Sequence, residues 1–197
     1  LDRADMKHIM LDLETLGNRS DAVILSLGAV KFDLTSGKID DQGFYASISI
    51  DSNQELGRRI QEDTLLWWLK QDIAAQSVFH EEKITLPQAL EDFSDWVGTD
   101  DYEVWSNGAD FDIPMLGHAY AQIQMEAPWK FWASNCFRTY KKLPGAKALA
   151  QTVPFAGVKH NALADAVHQA QVLHAIHTGI FSAIKAANNP FKPKAKT

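Results

Sequence analysis

No feature constrains this chain more than the run at 7–15, KHIMLDLET, which is apolar nearly to its end and then acidic. Such a run reads as a buried strand that delivers its polar residues at one end of a sheet. Residues two apart on a strand share a face, so Asp12 and Glu14 project together, about 7 Å apart along the strand. Carboxylates in apolar surroundings are unstable unless paired or bound to metal. The pair therefore reads either as half of a divalent-cation site or as a solvated pair at a strand-to-loop junction.

Two later blocks carry matching chemistry. The segment EVWSNGADFDIPMLGHAYAQIQ predicts a short strand, a glycine-containing turn and a helix. Asp110 or Asp112 falls in the first helical turn, where an acid either caps the helix or offers itself to a cation. In VKHNALADAVHQAQVLHAIH, Asn161 is placed to cap a helix. His160 then sits in the loop before that helix and Asp165 about one turn inside it. Both can reach one cleft, although a lone loop histidine is also an ordinary surface residue. His168, His174 and His177 read as polar-face or interhelical residues. Four carboxylates without a thiolate suit Mg²⁺ or Mn²⁺ and can hold two such ions.

The ordered triple DLET at 12–15, NGADFD at 107–112 and HNALAD at 160–165 resembles the motifs of the DEDDh 3′–5′ exonucleases. That family includes ribonuclease T, oligoribonuclease and polymerase proofreading subunits. DTLLWW at 63–68 and WSNGADFDIP look like its small bacterial and phage exoribonuclease-like branch. The chain departs from common family usage at Leu16 and Asp110. The resemblance implies that Asp12, Glu14, Asp112 and Asp165 hold two divalent cations, Mg²⁺ or Mn²⁺, and that His160 is the general base. It implies a substrate pocket from Leu13, Thr15, Leu16 and Phe111, with Thr15 on the terminal nucleotide. The expected partner is the 3′ end of a single-stranded RNA or DNA, shortened to 5′-mononucleotides. Homodimers occur in the family.

Aromatic rings commonly hold single-stranded bases, which singles out Trp67 and Trp68. Adjacent on a predicted helix, they cannot share a face. Leu65, Leu69 and Ile73 recur at four-residue spacing and mark the expected core side. Trp68 then lies at its edge, and Trp67 lies opposite, toward the substrate or a neighbouring element.

Composition is compatible with this. A 197-residue chain is long enough for one domain with a sizeable core. Its net charge of −6 is unfavourable for a nucleic-acid binder. Yet residues 127–164 contain no Asp or Glu and carry Lys130, Arg138, Lys141, Lys142, Lys147 and Lys159. That stretch reads as a phosphate-holding segment or as a solubilising surface. The single cysteine, Cys136, excludes an internal disulfide and suits a reducing cytoplasm. No apolar run is long enough to predict a membrane span.

The expected fold is α/β, a ribonuclease H-like mixed five-stranded sheet flanked by helices. Strands are expected near 7–14, 22–33, 43–50 and 102–107, with a short fifth one before 134. Helices are expected at 62–71, 74–80, 86–98, 111–124 and from 162 to about 177. Residues 1–5 read as a non-native remnant, 6–183 as one exonuclease domain, and 184–197 as a basic, frayed tail. Two rival functions share the motifs: a two-metal endonuclease or integrase, and an inactive nucleic-acid-binding module.

Overall fold

The computed structural model describes residues 6–108 and 110–187. Strands β1 (His8–Thr15), β2 (Ile24–Phe32), β3 (Phe44–Ser47), β4 (Glu103–Ser106) and β5 (Ser134–Cys136) form one sheet in the order β3-β2-β1-β4-β5. The first three strands run antiparallel, and β4 and β5 add in parallel to β1. The mixed sheet agrees with the expectation. β5 forms from Ser134 to Cys136 itself, not before it.

β1 is central and buried on both faces, which explains its unbroken apolar run. Ile9, Leu11 and Leu13 pack with α3 (Leu86–Val97) and α4 (Asp112–Gln122). Met10 faces the other way, with Trp105 and α7 (Ala162–Ala187). By strand alternation Asp12 and Glu14 lie on the α7 side.

The ends of α3 follow their local chemistry. Thr85 Oγ1 accepts from Gln88 N at 3.3 Å, Pro87 sits in the first turn, and Gly98 stops the helix at φ 78°.

Helix α7 lies close on the sheet because its facing side chains are small. Ala162, Ala166 and Ala170 are buried at four-residue spacing. Gly28 on β2 pairs with Asp12, and a Cβ there would stand 2.2 Å from the backbone of Ala162 and Leu163. The absent side chain lets the start of α7 approach the acidic end of β1.

Several boundaries differ from expectation. The strand predicted to reach residue 50 ends at Ser47, and α1 (Ile50–Glu55) begins where Ser49 caps Ser52 N. The segment at 74–80 is a 3₁₀ turn, Ala75–Phe79. Helix α2 (Glu62–Trp68) stops short of the expected residue 71. Short helices α5 (Phe137–Tyr140) and α6 (Ala146–Ala150) precede α7. α7 runs to Ala187, so residues 184–187, expected in the tail, are helical. Residues 1–5 and 188–197 lie outside the described residues. Among the described residues, no helix is long and apolar enough to cross a membrane.

Candidate active site

The acidic end of β1 opens into a cleft of about 260 Å³ lined by Asp12, Glu14, Asp112, His160 and Asp165. Three separate elements deliver these groups. Asp112 opens α4 and is 2% exposed. Its Oδ1 accepts from the backbone N of Leu13 at 3.1 Å, which fixes the carboxylate to the strand end. Its Oδ2 is buried with no hydrogen-bond partner. Asp112 is therefore turned into the cleft and does not act as an ordinary helix cap.

The His-x4-Asp spacing has a local cause. Asn161 Oδ1 accepts from Ala164 N at 3.0 Å, capping α7. His160 takes a left-handed backbone conformation, φ 63°, uncommon outside glycine. Asp165 Oδ2 accepts from His160 N at 2.8 Å and holds that turn. One donor atom each from Glu14, His160 and Asp165 lie within 4.8 Å of one another.

The electrostatics are those of a concentrated acid cluster. Burial pushes Glu14 up to about 8, helped by the negative charges of Asp165 and Asp112. Asp12 is raised well above the usual carboxylate range by burial, then by Asp112, Glu14 and Asp165. Burial raises Asp112 to about 6, against the opposing hydrogen bond from Leu13 and the charge of Arg138. Asp165 is also raised, again mainly by burial. Oxygen donors this crowded are stabilised by a hard divalent cation and destabilised without one. The unpartnered Asp112 Oδ2 completes the fit of the site to such ions.

Other sequence-derived contacts fare unevenly. Leu13 and Phe111 line the cleft. Thr15 does not, because its hydroxyl donates to Gly17 O at 2.7 Å. Leu16 is 1% exposed and sits in an apolar cluster with Val23, Leu25 and Trp68, so a side-chain contact with substrate is corrected to a packing role. Trp68 is likewise buried, and its Nε1 donates to Thr15 O at 2.8 Å. It supports the site and offers no stacking face.

Trp67 is 41% exposed, with its ring edge-on to His160 at 5.0 Å between centroids. Leu65, Leu69 and Ile73, expected on the core side, are exposed. The helix ends at Trp68, so its four-residue periodicity never becomes a helical face.

Two cleft residues lie outside the motif triple, Gln169 and Arg138, and Asn107 lines the cleft from the start of the second motif. Gln169 Nε2 donates to Asp12 Oδ1 at 2.7 Å and orients that carboxylate. Its four-residue distance from Asp165 on one helix face was the available signal.

Comparison with known proteins gives the same reading. The nuclease domain of 3′hExo, a DEDDh family member solved with rAMP, superposes with a TM-score of 0.59 at 14% identity, over 91% of this chain and 95% of that one. Product-bound exonuclease I gives 0.60 at 10% identity, over 92% of this chain and 46% of that one. Both share the mixed five-stranded ribonuclease H-like architecture. The exodeoxyribonuclease of Enterobacteria phage T4 is 23% identical over 159 residues, 68% of this chain and 70% of that protein. The family model for the 3′-5′ exoribonuclease Rv2179c-like domain matches residues 7–177. The chain belongs to that family of 3′–5′ exonucleases.

Proposed function

We propose that this exonuclease shortens single-stranded nucleic acid, RNA or DNA, from the 3′ end and releases 5′-mononucleotides. The observation that carries the reading is the meeting of Asp12, Glu14, Asp112, Asp165 and His160 in one cleft, with Asp112 Oδ2 buried and unpartnered. Divalent-metal dependence goes with the family. The number two, and the choice of Mg²⁺ or Mn²⁺, are proposed from the four carboxylates that would hold the ions. When bound, such ions make water more acidic and stabilise charge on the phosphoryl oxygens.

The chain's own groups do the rest. Asp165 holds the His160 backbone through the amide N, and the rings of Trp67 and Trp68 flank the imidazole edge-on. So held, an imidazole nitrogen takes the proton of the attacking water. The water oxygen bonds to phosphorus as the bond to the upstream 3′-oxygen breaks. The 3′-oxygen leaves with the shortened strand and is protonated from solvent. Gln169 keeps Asp12 in its cleft-facing rotamer. Leu13 and Phe111 present apolar surface to the terminal nucleoside. The exposure of Trp67 beside His160 supports a stacking role on a base.

Matched RNA and DNA oligomers, incubated with Mg²⁺ or Mn²⁺ and resolved by product size, test the reading. Mononucleotide release that stops on chelation is expected. Metal-independent cleavage or oligonucleotide products would overturn it.

A further inference from the structure

Arg138 is the one lysine or arginine among the described residues lining the acidic cleft. It projects from α5, directly after the edge strand β5. Its guanidinium lies beside Gly108: a Cβ there would stand 3.4 Å from Arg138 Nη2, ordinary van der Waals contact. The guanidinium thus lies against the turn that carries Asn107 and leads to Asp112. Its charge acts on Asp112, yet it forms no ion pair among the described residues. An exposed cation beside four carboxylates, and paired with none, is free to take a ligand of its own.

Its side of the cleft identifies that ligand. His160 packs on Trp67 and Trp68, and Trp68 packs with Val23 and Leu25 at the β2 side of β1. Arg138 stands on the β4–β5 side. The two groups therefore flank the β1 acids from opposite sides. In an in-line displacement the water and the leaving oxygen are opposed. If His160 serves the water, the Arg138 side receives the leaving 3′-oxygen and the strand attached to it. Lys141, one residue past α5 and close enough for its charge to repel that of Arg138, extends positive potential outward.

Resting on the exonuclease reading above, we propose that Arg138 binds the backbone phosphate immediately upstream of the scissile linkage and so positions the leaving strand. A guanidinium suits this task because its planar fork matches two phosphate oxygens.

The test uses an unmodified oligomer and one with a neutral methylphosphonate at that upstream linkage. The parent is compared with Arg138→Ala and Arg138→Lys. On the unmodified strand, Arg138→Ala is expected to raise KM about 10- to 100-fold, with a much smaller effect on kcat. Arg138→Lys should fall between, since a point charge lacks the fork. The methylphosphonate should weaken the parent by a similar factor and leave Arg138→Ala nearly unaffected. Melting temperatures in chelator should stay level, because the side chain is exposed.

Equal KM for parent and Arg138→Ala, or additive losses from substitution and methylphosphonate, would overturn the assignment. A parent that fails to shorten the unmodified strand would instead overturn the exonuclease reading, and this proposal with it.

Discussion

Replacing Glu14 by Gln should stabilise the metal-free protein while destroying its activity. Burial raises the Glu14 carboxyl from 4.5 to about 8 in the folded chain. The folded value lies above the unfolded one, so the folded state holds the proton more tightly. Stability from this group is complete below about pH 4.5 and is lost as the pH rises toward 8. At pH 7.5 the loss is about 4 kcal/mol, and at pH 5 about 1 kcal/mol. Glutamine does not ionise, so Glu14→Gln removes the loss. For a chain of this length, about 4 kcal/mol corresponds to roughly 8–16 °C in melting temperature.

The assay is thermal unfolding in excess chelator across pH 5–8, repeated with saturating Mn²⁺. In chelator the variant should melt above the parent, by a margin that widens with pH. In Mn²⁺ the margin should narrow, since about 2.7 kcal/mol accrues to the parent at 100 times the dissociation constant, and should close near 1,000 times, where about 4.1 kcal/mol accrues. A variant that melts at or below the parent in chelator at pH 7.5 refutes the reasoning. So does a parent whose chelated melting temperature is flat from pH 5 to 8.

Other substitutions probe the rest of the site. His160→Ala should lower turnover by about 10²–10⁴ while calorimetric Mn²⁺ binding stays close to that of the parent; a larger loss in His168→Ala would move the base elsewhere. Trp67→Ala should weaken binding of a fluorescent single strand with little change in melting temperature, and Trp68→Ala should destabilise by about 3–5 kcal/mol. The reverse pattern would exchange their roles. Gly28→Ala should destabilise by at least about 1–3 kcal/mol and reduce turnover more than tenfold, because the added Cβ displaces the start of α7 and with it Asp165. An unchanged melting curve and rate would show that α7 does not depend on that close approach.

The acids were legible because each obeys a short-range rule. Asp12 and Glu14 follow the two-residue period of a strand. His160 and Asp165 belong to one capped helix start, where the spacing itself makes the backbone hydrogen bond. Asp112 was half-legible, since a cap and a ligand look alike until its buried, unpartnered oxygen is seen.

For Gln169 the four-residue distance from Asp165 gives the face but not the partner, which depends on how α7 seats over Gly28. At Leu16, motif adjacency does not reveal the turn at Thr15 and Gly17 that sends its side chain into the core. The core side of α2 escapes the sequence period for a related reason. Leu65, Leu69 and Ile73 form a face only if the helix continues, and it ends at Trp68. α1 was hidden because Ile48 and Ile50 alternate with serines as a strand would, while Ser49 in fact caps a helix.

Digestion of a 5′-labelled single strand, in linear and covalently circular form, bears hardest on the 3′-end reading. With Mn²⁺ present, the linear strand should shorten one nucleotide at a time from its 3′ end, with 5′-mononucleotides as product. The circle should survive. Chelator, or the substitution Asp12→Ala, should halt the ladder. Linearisation of the circle, internal fragments from the linear strand, or near-parental turnover by Asp12→Ala in saturating Mn²⁺ would contradict the account.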